Sequence, residues 1–85
     1  MKVTVLYFAR LREALHRERE IVDVPASVAT VTDLRAWLTA RGEPWASAFV
    51  DVKRIRAAVD QSMAHEGTPL REGVEVAFFP PVTGG

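Results

Sequence analysis

From Lys2 to Phe8 the chain reads Lys-Val-Thr-Val-Leu-Tyr-Phe, a run of β-branched and aromatic types that predicts a strand. Both faces of that strand are apolar, which predicts a central position covered on both sides. Ala9 to Leu15 switches to good helix formers, with Leu11, Ala14 and Leu15 at helical spacing. His16 to Glu20 is a charged connector, and Glu20 to Val24 is a second strand stopped at Pro25. The main helix comes next. Thr30 followed by Asp33 has the layout of a capping box, and Val31, Leu34 and Leu38 form one apolar stripe with Trp37 beside it. Gly42 lies just past the end, where a left-handed cap is expected. Glu43 to Phe49 reads as irregular, with Trp45 over one end of the core. Ile55 to Asp60 predicts a third strand and Met63 to His65 a short edge strand. After a turn over Thr68 to Gly73, Val74 to Phe79 predicts the last strand.

Strands gathered at the two ends of the chain, with one main helix between them, predict an α+β domain. Its sheet is mixed, has four to five strands, and packs on the main helix plus the short one. If the first and last strands are neighbours, Val3, Val5, Tyr7, Val74, Val76 and Phe78 share the helix-facing side. Thr4, Leu6, Phe8, Ala77 and Phe79 share the other. One long helix covers only one face, so Leu6, Phe8, Ala77 and Phe79 are expected to form an exposed apolar patch of the kind that marks a partner surface. The short first helix or a second copy of the chain are the alternative covers.

Composition removes several classes of function. At 85 residues the chain is one domain with a modest core. It has no cysteine, so disulfides, Cys-based zinc sites, iron–sulfur clusters and a thiol nucleophile are excluded. Eleven basic and eleven acidic residues cancel, which removes the electrostatic footprint of a nucleic-acid binder. No apolar run approaches the length of a membrane helix. A soluble, cytoplasmic protein is expected, with no metal and no cofactor bound by the chain itself. His16 and His65 lie far apart among charges and read as surface residues. Arg10, Arg12, Arg17 and Arg19 alternate with Glu13, Glu18 and Glu20, as on a solvated face. Ser27, Ser47 and Ser62 have no evident catalytic partners.

The stretch that stands out is the ending, Phe78-Phe79-Pro80-Pro81-Val82-Thr83-Gly84-Gly85. Paired prolines end the sheet and favour a stiff, extended segment. Six residues from Pro80 onward reach roughly 20 Å when extended. The division expected is a domain over 1–79 and an extended tail over 80–85. Chain ends are often slack. A slack end needs no Phe-Phe anchor and no Pro-Pro stiffener, so the tail is read as an arm that presents the Gly85 carboxylate.

This ending, after Glu75-Val76-Ala77, resembles that of the small, sulfur-carrier subunit of molybdopterin synthase, a ubiquitin-like β-grasp family. The start Val5-Leu6-Tyr7-Phe8-Ala9-Arg10-Leu11-Arg12-Glu13, the helix Val31-Thr32-Asp33-Leu34-Arg35, and Ala57-Ala58-Val59 before Asp60-Gln61 fit as well. Val74 and Asp60 depart from the family's common acid and asparagine. The resemblance implies that an E1-like adenylyltransferase activates the Gly85 carboxylate with ATP. A sulfur donor protein then leaves a thiocarboxylate, and the sulfur goes to cyclic pyranopterin monophosphate in the pocket of a large subunit, within a heterotetramer. Gly84 and Gly85 are the implied reacting end. Without Cβ atoms they thread a tight slot. Phe8, Met63, Phe79, Pro80, Pro81, Val82 and Thr83 are the implied partner-binding residues. A ubiquitin-like protein modifier and a carrier for another sulfur pathway, such as thiazole synthesis, are the alternative roles.

Overall fold

The computed structural model describes residues 1–51 and 55–80. Its elements are β1 (Lys2–Tyr7), α1 (Ala9–Leu15), β2 (Arg19–Asp23), α2 (Val31–Thr39), α3 (Trp45–Asp51), β3 (Arg56–Val59), β4 (Ser62–Ala64) and β5 (Glu75–Phe79). The strands form one mixed sheet in the order β2-β1-β5-β3-β4. β1 and β5 run parallel at its centre, and the other neighbours are antiparallel. This is the expected β-grasp arrangement, with five strands.

One face of the sheet is sealed. Val3, Val5, Tyr7, Val22, Ala57, Val76 and Phe78 point into a single core with Leu11 and Leu15 of α1, Val31, Leu34 and Leu38 of α2, and Ala48 of α3. All six residues assigned to this side by alternation, Val74 included, are buried. The predicted capping box is present. Thr30 Oγ1 accepts from the Asp33 N–H, and the Asp33 carboxylate accepts from the N–H groups of Thr30 and Ala29. Those bonds hold the Asp33 carboxyl below its ordinary pKa. Gly42 takes φ 93°, the left-handed value expected beyond α2.

Two expectations are corrected. Glu43 to Phe49 is not irregular, because Trp45 opens α3. Pro44 directly precedes the helix, a place proline fits because its missing N–H costs nothing there. The Ala48 N–H donates to the Pro44 carbonyl, and the Glu43 carboxylate accepts from the Ser47 N–H and hydroxyl. Phe49 then meets Phe78 edge to face at 5.4 Å. Second, β1 is central as expected, but the described residues cover only one of its faces. All three helices contribute to the same core, so α1 is not the cover of the other side.

The solvated charge pattern around residues 10–20 also has an exception. Glu20 is half-buried, with 11% of its side chain exposed. Its carboxylate accepts from the Tyr7 hydroxyl at 2.7 Å, from Arg41 at 3.0 Å and from Arg17 at 3.1 Å. Trp45 Nε1 donates to the Tyr7 oxygen at 3.3 Å, and the Arg41 guanidinium lies 4.0 Å from the Trp45 ring centre. Burial and then the Glu20 contact push the Tyr7 hydroxyl above its ordinary pKa. For Glu20, burial pushes upward, but the bonds from Arg41 and Tyr7 outweigh it and hold the carboxyl below its usual range. This network ties the β1–β2 end of the sheet to α3 and to the chain just past α2.

Candidate partner-binding face

The opposite face is built by register. Parallel pairing puts Leu6 beside Ala77, and antiparallel pairing puts Ala77 beside Ala58 and Ala58 beside Met63. With Arg19 opposite Leu6, one row crosses all five strands. Phe79 and Arg56 pair in the next row, and Phe8 follows Tyr7 at the same end. Ala77 and Ala58 are short, so the middle of this face is low. Larger side chains, Leu6, Phe8 and Phe79, stand around it. The result is an open depression of about 480 Å³ lined by Leu6, Phe8, Ala58, Gln61, Glu75, Ala77 and Phe79.

The backbone fixes the rim. The Phe8 N–H donates to the Phe78 carbonyl at 3.2 Å, which pins Phe8 to β5. Phe8 is extended, and Ala9 takes φ 53° directly after it. That left-handed step turns the chain toward the helix side while the Phe8 ring, 46% exposed, stays on the open side. At the other end Asp60 and Gln61 both have positive φ, as a two-residue hairpin turn of type I′ requires. Aspartate tolerates this conformation, so Asp60 suits the position where the family commonly has asparagine. The Asp60 carboxylate also accepts from the Glu75 N–H and from Arg71. The turn is thereby fastened to the start of β5, with Gln61 over the depression.

Of the residues singled out from sequence, Phe8 and Phe79 meet in this depression, as alternation placed them. Met63 is on the same face by register and 63% exposed. It lines a neighbouring cavity with Ile55, Arg56, Ala57, Ala64, His65 and Glu66 rather than the central one. Pro80 is half-buried directly after β5. Pro81, Val82, Thr83, Gly84 and Gly85 lie outside the described residues. Ala58, Gln61, Glu75 and Arg56 were not picked out as site residues. Alternation with the buried Ala57 turns Ala58 to this side, but nothing local in the sequence says that β3 borders β5.

A mixed five-stranded sheet clasping its helices on one side, with an apolar basin on the other beside the end of the last strand, defines a ubiquitin-like β-grasp fold. A family model described as the ThiS family matches residues 5–85, and the chain belongs to that family. It is 43% identical to the molybdopterin synthase sulfur carrier subunit of Escherichia coli (strain K12) over 83 residues, covering 98% of this chain and 99% of that one. It is 36% identical to the protein of the same name from Mycobacterium tuberculosis, over 100% of this chain and 99% of that one. Among solved structures, SAMP1 from Haloferax volcanii superposes with a TM-score of 0.78 at 28% identity, with both chains fully covered.

Proposed function

We propose that this chain is the sulfur-carrier subunit of a molybdopterin synthase, not an enzyme alone. The observation that carries the reading is the position of β5: it passes through the apolar depression and ends at Phe79, so the tail departs from the edge of a surface suited to a partner. The similarity to two molybdopterin synthase sulfur carrier subunits, along nearly the whole of each chain, supports the same role.

In this reading residues 1–79 are the handle and 80–85 the arm. An E1-like adenylyltransferase joins the Gly85 carboxylate to AMP from ATP and releases pyrophosphate. A carboxylate is a poor electrophile, and AMP supplies the leaving group it lacks. Sulfide-level sulfur delivered by a donor protein attacks the acyl carbon, expels AMP and leaves a thiocarboxylate on Gly85. That soft anion attacks cyclic pyranopterin monophosphate in the large subunit to give a thioester. Water then cleaves its acyl C–S bond, leaving the sulfur on the pterin and the Gly85 carboxylate restored, and two such transfers build the dithiolene. Phe8, Phe79 and Met63 anchor the handle, because aromatic and methionine side chains give large contact area at an interface. Pro80 and Pro81 reduce the freedom lost when the tail docks. Val82 and Thr83 add strand-like contacts in the groove, and Gly84 and Gly85 admit close approach.

Intact-mass analysis after incubation with the activating enzyme, ATP and a sulfur donor is the test. Replacement of one oxygen by sulfur in the peptide ending at Gly85 is the expected result. An unchanged mass would overturn the proposal, and lysine-linked conjugates in lysate that vanish on deletion of Gly84-Gly85 would favour a protein modifier instead.

A further inference from the structure

β2 is an edge strand, and its free edge is complementary to itself. The Thr4 N–H donates to the Val74 carbonyl, toward β5, while the Tyr7 N–H donates to the Glu18 carbonyl and the Val24 N–H to the Met1 carbonyl. This phase turns the main-chain groups of Glu20 and Val22 toward β1. The main-chain groups of Arg19, Ile21 and Asp23 therefore point outward, and they have no main-chain partner among the described residues. The side chains of the same three residues lie on the open face, beside Leu6, Thr4 and Lys2. Ile21 is 65% exposed.

We propose that two copies of the chain pair through β2, antiparallel and centred on Ile21, into a continuous ten-stranded sheet. Only this register places Ile21 against Ile21 and Arg19 against Asp23 twice, and it makes all three rows hydrogen-bonded pairs. Parallel pairing in register sets Arg19 against Arg19 and Asp23 against Asp23. A shift of two residues sets Ile21 against a charge. Opposite charges across an antiparallel ladder attract, and like charges there repel. β2 carries no lysine, proline or bulge to blunt it, and the charges on its outward-pointing residues, Arg19 and Asp23, are of opposite sign and so can pair across the axis. Asp23 already faces the N-terminal ammonium at 3.3 Å and Lys2 at 4.0 Å, both exposed contacts that leave it accessible. Zero net charge removes overall repulsion between copies.

A two-fold axis through Ile21 keeps both apolar depressions on the same side of the joint sheet. The two β5 strands lie five strand spacings apart, roughly 24 Å, and point in opposite directions. Each β5 lies two strands in from the joined edges, so the pairing is independent of the carrier role. Five residues per strand bury less than the roughly 1,200–2,000 Å² of a standard interface, so the dimer is weak.

Sedimentation velocity on the full chain from about 10 µM to about 1 mM reads the association. A concentration-dependent shift to dimer is expected. Arg19→Asp or Asp23→Arg alone puts like charges in two pairs and is expected to weaken the dimer about tenfold or more. The double variant R19D/D23R restores the opposite pairs and is expected to return to within about threefold of the parent. Ile21→Pro removes an outward N–H without touching the β1 ladder and abolishes dimer. Far-UV circular dichroism confirms that each variant folds. Amide exchange at Arg19, Ile21 and Asp23 slows with concentration if the edge is the interface. A chain monomeric throughout, a double variant no better than the singles, or protection at Phe8 and Ala77 instead would each overturn the proposal.

Discussion

Val5 and Leu6 are adjacent in β1 and equally apolar, yet Val5 is fully buried and Leu6 lines an open basin. The two faces of this sheet differ less in composition than in what the chain can lay over them. Three helices of seven, nine and seven residues supply one layer, and all of it goes to one side. The covered face is filled to its full height by Tyr7 and Phe78. The open face is hollow at its centre, because Ala58 and Ala77 are short. Apolarity alone therefore does not distinguish core from contact surface. The shape left by small residues does, since a core would close such a hollow.

The comparison is broken most directly at neighbouring phenylalanines. Phe78→Ala empties the covered face and is expected to cost about 3–5 kcal/mol in urea unfolding, far more than Phe79→Ala on the open face. Next comes Glu20→Gln, which leaves Arg41 and Tyr7 with a weaker acceptor and is expected to cost about 1–3 kcal/mol at neutral pH. The Glu20 carboxyl is held below its ordinary value of 4.5, so its stabilisation is complete above that value and is lost as pH falls through the lower folded one. Melting temperatures of parent and variant should therefore converge in acid; a gap that stays constant down to acid pH would remove the carboxylate from the account. Thr30→Ala deletes the helix cap and is expected to cost about 1 kcal/mol. Ala9→Gly relieves the left-handed φ and is expected to stabilise by roughly 0.5–1 kcal/mol, visible as a raised unfolding midpoint. Phe8→Ser should change stability by no more than about 0.5 kcal/mol. It should weaken capture of the proposed large subunit by at least about tenfold. A stability loss as large as that of Phe78→Ala would make the open face structural.

Much of this was legible in the chain. Alternation assigned the faces of β1 and β5 residue by residue, because a period of two leaves no freedom once a strand is recognised. Thr30 and Asp33 gave the start of α2, since a capping box is purely local. What stayed hidden was set by distance or by context. Pro44 leads into α3 although proline more often marks a stop. Ala58 and Gln61 reach the basin only because β3 is inserted beside β5, a pairing of residues far apart in sequence. Glu20 sat among alternating charges, and what distinguishes it from Glu13 or Glu18 is the approach of the Tyr7 hydroxyl and of Arg41 from other parts of the chain. Ile21 is one apolar residue in a short strand, and its exposure follows from β2 being the outermost strand rather than an inner one.

The strand that ends at Phe79 is gripped along both sides, by β1 running with it and by β3 running against it. A tug applied at Pro80 along the strand is thus shared by two ladders of hydrogen bonds loaded lengthwise, rather than peeled from a free margin one bond at a time. In the proposed carrier role, a pull on the chain beyond Pro80 would leave the globule behind it in shape.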